Sequence, residues 1–405
     1  MRSKLNLLLM STCTALLTGC TATPQDLMTG VYFVKLEAEP AQVASLVTDI
    51  ASNLGYEIVD VLHIYDTASE GFSVRIPHVL VPELERIAYV DQVIPDDGAD
   101  YVVPTDPEAI YEYGADEVPA GIMRIGGPYM GSVALDQFHV AVIDTGIDSF
   151  HPDLNVVAEA DFVGLSTGQY ADGRDPNGHG THVAGTIGAI ADGEGVAGVA
   201  PGVALHAVRV LDGNGAGYFT DIVAGIEYVL ENPEIRVVNM SLGGPVSSET
   251  EPMRSALKRL EESGVVVVIA AGNESQDTAN VAPAGYDHGI VVSAYDVSST
   301  SSGALSDRGF AWFSNYGDAV DIAAPGVSIN STWPGEDYAP LDGTSMAAPH
   351  VAGAVAAFLA NSSDDWMPEE VRDLVIETGE NNYQGQGGSH PEPFLDFAAL
   401  MEQAR

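Results

Sequence analysis

The sequence predicts an α/β fold, a parallel sheet with helices on both faces, preceded by a small α+β unit. Three observations predict it. Continuous β-branched runs such as Val140–Ile143 and Val265–Ile269 are apolar on both sides, as strands of a doubly covered parallel sheet are. Stretches with helical spacing, among them DIVAGIEYVLE and PMRSALKRLEESG, separate these runs and supply the crossovers that a parallel sheet needs. Before residue 95 the pattern changes to short alternating strands around a helix, which marks a separate unit.

The elements follow in order. The chain starts MRSKLNLLLMSTCTALLTGC, with Arg2 and Lys4, an apolar run and then small residues. That is the layout of a signal peptide over residues 1–19, with an apolar run too short to cross a membrane comfortably. Within 20–95, VYFVKL alternates like a strand, AQVASLVTDIASNLG has helical spacing, and GFSVRI, PELERIA and VDQVI read as strand, helix and strand. Residues 96–117, rich in acid, proline and glycine, read as a linker and a place for a proteolytic cut. The large domain is 118–405: FHVAVID, GTHVAGTIGAI, ALHAVRVL, DIVAGIEYVLE, VRVVNMSLG, PMRSALKRLEESG, VVVVIAAGN and GIVVSAYD. The serine-rich VSSTSSGALS reads as a surface loop, and PFLDFAALMEQAR as a closing strand and helix.

With 405 residues, 46% of them hydrophobic, the chain can bury a large core. Its 58 acidic residues against 15 Lys and Arg give a net charge of -43, which argues against nucleic acid as a partner, since phosphate binding needs clustered cations. Two readings of the acidity stand: solubility through self-repulsion, and life in salt or divalent cations that screen it. Cys13 and Cys20 are the only cysteines, so the chain beyond the signal has no pair for an internal disulfide.

In an open parallel sheet, ligands gather at the carboxyl ends of the strands, and three polar signals fall there. Asp144 follows the run Val140–Ile143; alone it reads equally as a turn cap. His179 and His182 open an apolar helix in DPNGHGTHVAGT. Their spacing admits metal ligation, but no HExxH pattern occurs, which disfavours zinc. A histidine at a helix start suits a base; His182, beside Val183 and Ala184, reads as a packed structural residue. Ser345 opens the apolar helix of LDGTSMAAPHVAGAVAAFLA, and by itself is a cap as readily as a nucleophile. Asn273, just past VVVVIAAG, is a neutral donor candidate.

The blocks VAVIDTGIDSFHPDL, NGHGTHVAGT and DGTSMAAPHVAG, with VNMSLGG and AAGNES, resemble the signature segments of the subtilisin-like serine proteases, over about residues 120–400. They occur in the order Asp, His, Ser, the order known for subtilisin. The resemblance implies a subtilisin-like fold and a serine endopeptidase acting on proteins and peptides through an acyl-enzyme. It makes Ser345 the nucleophile, His179 the base and Asp144 its orienting carboxylate, with Asn273 and the Ser345 amide binding the oxyanion. It places substrate along Ser241, Leu242, Gly243 and Gly244, against an edge containing Gly217 and Phe219, and beside Ala271 and Gly272.

The first unit resembles the family's inhibitor-like propeptide, a small ferredoxin-like α+β domain that blocks the active site until it is cut off and degraded. Self-processing is then expected between Asp96 and Glu117. Leu17–Cys20 resembles a bacterial lipobox, implying lipid on Cys20 and a membrane-tethered or secreted enzyme of the cell envelope. AIADGEGVAGVAP resembles the family's calcium loop, with Asp192 as a side-chain ligand and Ile190, Glu194 and Val196 as carbonyl ligands, joined by Asp153 and Asp116. Calcium is expected as structure and the protein as a monomer. The competing reading, of another class, is a catalytically idle surface module that binds peptides in the same groove.

Overall fold

A computed structural model describes residues 29–37, 42–54, 59–96, 101–102, 117–163, 174–246, 250–299 and 305–404. The signal segment with Cys20, most of the acidic linker and the ligand candidate Asp116 lie outside the described residues. Contacts divide the chain into two units, Met1–Asp66 with Glu70–Asp96, and Thr67–Ser69 with Asp97–Arg405.

In the first unit, strands β1 (Thr29–Leu36), β2 (Asp60–Tyr65), β3 (Gly71–Pro77) and β4 (Val90–Asp96) form an antiparallel sheet in the order β2-β3-β1-β4. Helix α1 (Val43–Leu54) packs on it. Alternate strand residues Tyr32, Val34 and Leu36, with Phe72, Val74 and Ile76, share a core with Val43, Val47 and Ile50; periods of two and of nearly four thus meet at one apolar surface. Strand β2 was not singled out in the sequence, because its first three residues are exposed or only half buried. PELERIA yields only the single turn α2 (Val81–Leu84), in which Leu84 alone is buried.

The second unit, which also holds the short strands β5 (Tyr101–Val102), β9 (Ala216–Gly217), β11 (Gly244–Pro245) and β13 (Val281–Ala282) and the helices α3 (Ala120–Arg124) and α6 (Glu251–Glu262), is built on β6 (His139–Asp144), β7 (Val156–Asp161), β8 (Ala204–Arg209), β10 (Ile235–Met240), β12 (Val266–Ala270), β14 (Ile290–Ser299), β15 (Leu305–Phe310) and β16 (Ile322–Pro325). The order is β15-β14-β12-β10-β6-β8-β7, with β16 also on β14, and every pairing but β14 with β15 is parallel. Helices α4 (His179–Gly188) and α7 (Thr344–Asn361) contribute to the core that takes Val140 and Val142 from β6. Ile143, next after Val142, faces α5 (Phe219–Glu231), whose Gly225 lies against Ile143 and Val208. A single strand therefore buries both of its faces, as its unbroken apolar run predicts.

From β6 the chain builds β7 and β8 to one side, then crosses to build β10, β12 and β14 on the other. This reversal opens a crevice at the carboxyl ends of the strands. The serine-rich stretch differs from expectation. Its first residues continue β14 to Ser299, which pairs with Leu305, because Val297 supplies an inward apolar position and is buried.

Candidate active site

Asp144 ends β6 and is fully buried. Its Oδ1 accepts hydrogen bonds from His179 Nδ1 at 2.8 Å and from the Thr145 amide at 2.7 Å. His179 is the first residue of α4, and its position depends on a residue that the sequence reading passed over. Asp175 accepts from the amides of Asn177 and Gly178 and from the Thr145 hydroxyl with Oδ1; Oδ2 takes the Thr181 amide and hydroxyl. One carboxylate thus takes the Gly178 and Thr181 amides of the helix start, as a cap does, while Asn177 Oδ1 takes the His179 amide and the Thr145 hydroxyl that of Gly180, which ties the helix to the loop after β6. Burial pushes the Asp175 carboxyl up against these bonds, which pull it down.

Two glycines make the approach possible. Gly178 has φ 108°, a left-handed conformation that side chains disfavour, and a Cβ there would lie 2.4 Å from the Trp333 ring. A Cβ on Gly180 would lie 2.1 Å from the Gly146 carbonyl oxygen, so α4 can sit this close to the Asp144 loop only without one.

Ser345 is the second residue of α7. Its Oγ donates to the Ser241 carbonyl at 3.2 Å, and Ser241 Oγ donates to the Ser345 carbonyl at 2.9 Å. Asn239 Nδ2 donates to Ser241 Oγ at 2.9 Å, fixing that reciprocal clamp. Asn273 Oδ1 accepts from the Thr344 amide at 2.8 Å and the Thr344 hydroxyl at 3.0 Å, which orients the carboxamide so that its NH2 end faces the other way.

Asp144, Ser241 and Asn273 stand at the carboxyl ends of β6, β10 and β12, consecutive strands of the sheet. Neighbouring strands are about 4.8 Å apart. His179 is bonded to the first of these loops, Ser345 to the second and Thr344 to the third, which gathers the predicted residues on one rim. His179 Nε2 and Asp144 Oδ2 are buried without a hydrogen-bond partner. Ser345 Oγ is turned to Ser241 and not to the imidazole; a hydroxyl reorients by rotation about one bond, and such contacts are commonly loose before substrate binds. An imidazole held by a carboxylate on one nitrogen, with the other unpaired, can take a proton from an alcohol and return it.

His182 is not at this rim's chemistry. Its Nε2 lies 2.8 Å from the Ile329 carbonyl and 2.9 Å from that of Ala339, as a packed structural histidine would.

The predicted substrate residues lie on three segments of the chain. Gly217 belongs to the short strand β9 (Ala216–Gly217), which pairs antiparallel with β5 (Tyr101–Val102) from the linker, both within the second unit. Phe219 opens α5 and is buried. Ser241 and Leu242 are buried, Gly243 follows, and Gly244 pairs with Ala282. Ala271 is buried and Gly272 has φ 99°. Beside them, Glu274 accepts from the Asn273 amide and from Asn315 Nδ2.

Among the expected calcium ligands, Asp153 is buried, and its Oδ2 accepts from the Val196 amide and the Tyr338 hydroxyl, both at 3.1 Å. Asp192 accepts from the Glu194 amide. A Cβ on Gly195 would lie 2.4 Å from Asp153 Oδ2, so the glycine keeps this cradle open. Burial first, then the charges of Asp153, Asp192 and Glu194, push the Tyr338 hydroxyl up. The side chains of Asp153 and Asp192 offer only oxygen donors, a donor type that fits calcium.

Comparison with known proteins gives the family. The model of the subtilase family, Peptidase_S8, matches residues 136–391. The chain belongs to the subtilase family. This subtilase is 44% identical over 286 residues to subtilisin E of Bacillus subtilis (strain 168), covering 68% of this chain and 71% of that one. It is 45% identical over 282 residues to a subtilisin of Bacillus pumilus, covering 67% and 97%. A crystal structure of a cold adapted subtilisin-like serine proteinase superposes with a TM-score of 0.57 at 34% identity, covering 69% of this chain and 97% of that one. The subtilase is a serine-type endopeptidase of subtilisin-like fold.

Proposed function

We propose that this subtilase cleaves proteins through Ser345, His179 and Asp144. Ser345 Oγ attacks the scissile carbonyl while His179 Nε2 takes its proton, and the same imidazole then protonates the departing amine. Asp144 holds the ring in the tautomer that bears the proton on Nδ1 and stabilises its charged form. Asn273 Nδ2 and the Ser345 amide, at the positive end of α7, receive the oxyanion. The observation that carries the reading is the buried 2.8 Å bond from His179 Nδ1 to Asp144 Oδ1, with His179 Nε2 left unpaired.

Substrate is proposed to extend along Ser241, Leu242, Gly243 and Gly244 on one side and Gly217 on the other, with Ala271 and Gly272 lining the pocket for the residue before the cut. Main-chain pairing of this kind is tolerant of sequence. Phe219 supports the far end from beneath. The pairing of Tyr101–Val102 with Ala216–Gly217 supports a precursor whose linker already lies on that edge, with residues 20–95 as the inhibitor-like propeptide. Residues 1–19 act as a signal, and lipid on Cys20 tethers the exported monomer to a membrane. Asp153, Asp192 and the carbonyls of Ile190, Glu194 and Val196, with Asp116, hold a structural calcium ion, which when bound neutralises their charge.

Labelling with a fluorophosphonate tests the central claim. The matured enzyme is expected to carry the probe on Ser345 and to lose peptidase activity in proportion; an active enzyme that excludes the probe from Ser345 overturns the assignment.

A further inference from the structure

At the opposite end of the sheet from the catalytic rim, two imidazoles and a carboxylate come together from three elements. His139 opens β6, His206 lies in β8, and Glu234 immediately precedes β10. The register pairs Ile235 with His139 and His206 with Ala141, so sheet hydrogen bonding brings them into neighbourhood. His139 Nδ1 is 2.8 Å from His206 Nε2, and one ligand atom from each of the three residues lies within 4.8 Å of the others.

We propose that His139, His206 and Glu234 form a transition-metal site that takes Zn(II), with solvent as the fourth ligand. The donor set of two imidazoles and one carboxylate suits Zn(II) and does not suit calcium, which prefers oxygen throughout. Ligands on a tetrahedral zinc at about 2.0–2.1 Å lie about 3.3 Å apart, so the two ring nitrogens need to open by only about half an ångström. Half-buried His139 and exposed Glu234 have the freedom to do so. His206 is the fixed member: it is buried, and its other nitrogen, Nδ1, lies 3.0 Å from the Tyr228 hydroxyl. A ligating histidine characteristically uses its second nitrogen in this way, which sets ring orientation and tautomer.

The position indicates the role. His139 and Asp144 are the two ends of β6, about 17 Å apart at the rise of an extended strand, so a bound ion takes no part in the reaction. It would instead fasten β6, β8 and the chain entering β10. Without a metal, the same residues form a histidine–histidine hydrogen bond beside a solvated carboxylate, and experiment separates the two readings.

The matured enzyme, prepared without a histidine tag, is stripped with EDTA, returned to calcium and titrated with Co(II) and with Zn(II). Expected are one tightly held ion per chain, the visible absorption of four-coordinate Co(II), and a rise in Tm of several degrees with zinc. His139→Gln is expected to weaken binding at least 100-fold and Glu234→Gln about 10-fold, with peptidase activity in the absence of zinc unchanged in both. Failure to retain either metal, or equal retention by wild type, His139→Gln and Glu234→Gln, overturns the proposal; the latter would place the ion elsewhere, as at His179.

Discussion

Asn273 is oriented by Thr344: its carboxamide oxygen accepts both the amide and the hydroxyl of that residue, at 2.8 and 3.0 Å. Because Thr344 immediately precedes Ser345, the proposed oxyanion donor and the proposed nucleophile are fixed by adjacent residues of one helix start. Asn273→Ala is expected to lower kcat about 100- to 1000-fold, the loss measured when subtilisin is deprived of such an asparagine, with KM nearly unchanged. Thr344→Val removes one of the two orienting bonds, worth about 1 kcal/mol, so kcat should fall only about fivefold. A KM effect larger than the kcat effect in either variant would assign Asn273 to ground-state binding.

The parts of this site that could be read in the sequence are those fixed locally. Asp144 ends an apolar run, and His179 and Ser345 begin apolar helices, so each declares the type of element that carries it. Asp175 did not stand out, although it lies within the quoted DPNGHGTHVAGT, because its role depends on the loop folding back so that one carboxylate reaches Thr145, Gly178 and Thr181 together. The His139 and His206 pair was invisible for a related reason: 67 residues separate them, and only strand register makes them neighbours. Periodicity predicts which face a side chain takes and leaves open which strand will lie beside it.

The linker strand makes the precursor testable. Tyr101 pairs with Gly217 and Val102 with Ala216, while Glu117 is bridged to Val196, so the chain is committed by backbone pairing at both ends of the intervening segment. Self-cleavage is therefore expected after Val102 and before Glu117. The Ser345→Ala chain, expressed alone, should remain at precursor length on a gel, and N-terminal mapping of the wild type should begin within that segment. A mature terminus upstream of Tyr101, or normal maturation of Ser345→Ala, contradicts this reading.

Glu274 places a carboxylate next to the proposed oxyanion donor Asn273, with Oε2 accepting from the Asn273 amide and from Asn315 Nδ2. A substrate acid just before the cut would face like charge, which disfavours it. Peptides with Glu or Asp there should be poor substrates, and Glu274→Gln should improve them about 10-fold relative to leucine peptides, equivalent to about 1.4 kcal/mol. Preferred cleavage after acidic residues by the wild type would eliminate Glu274 as a charge filter.

Calcium should act on stability and leave chemistry alone. Ion binding to the folded chain stabilises by mass action, so EGTA is expected to lower Tm by several degrees while kcat, measured at once at low temperature, is kept. Asp192 is exposed and Asp153 is buried with bonds to Val196 and Tyr338, which makes Asp192→Asn the cleaner variant. It should shift the calcium midpoint for stabilisation about 10-fold upward. A Tm indifferent to EGTA in the wild type removes calcium from the loop.

Two buried imidazoles away from the catalytic bond make the fold sensitive to mild acid. His182 lies between the carbonyls of Ile329 and Ala339, and burial, above all, pushes it down to about 3. His350 lies against the Met346 carbonyl within α7 and is pushed down to about 4, again chiefly by burial. In the unfolded chain both titrate near 6.5. Above that pH neither state binds the proton, and the fold loses nothing. As pH falls below it, the unfolded chain gains protons that the folded chain refuses, so stability declines until the folded values near 3 to 4 are reached. At pH 5 the penalty is at most about 2 kcal/mol for each ring. The urea midpoint of the Ser345→Ala chain, which avoids self-digestion, should therefore drop steadily from pH 7.5 to pH 5, and less steeply in His350→Gln. A midpoint that stays level across that range would mean that the folded protein takes up those protons, and that the two rings are not sealed in the interior.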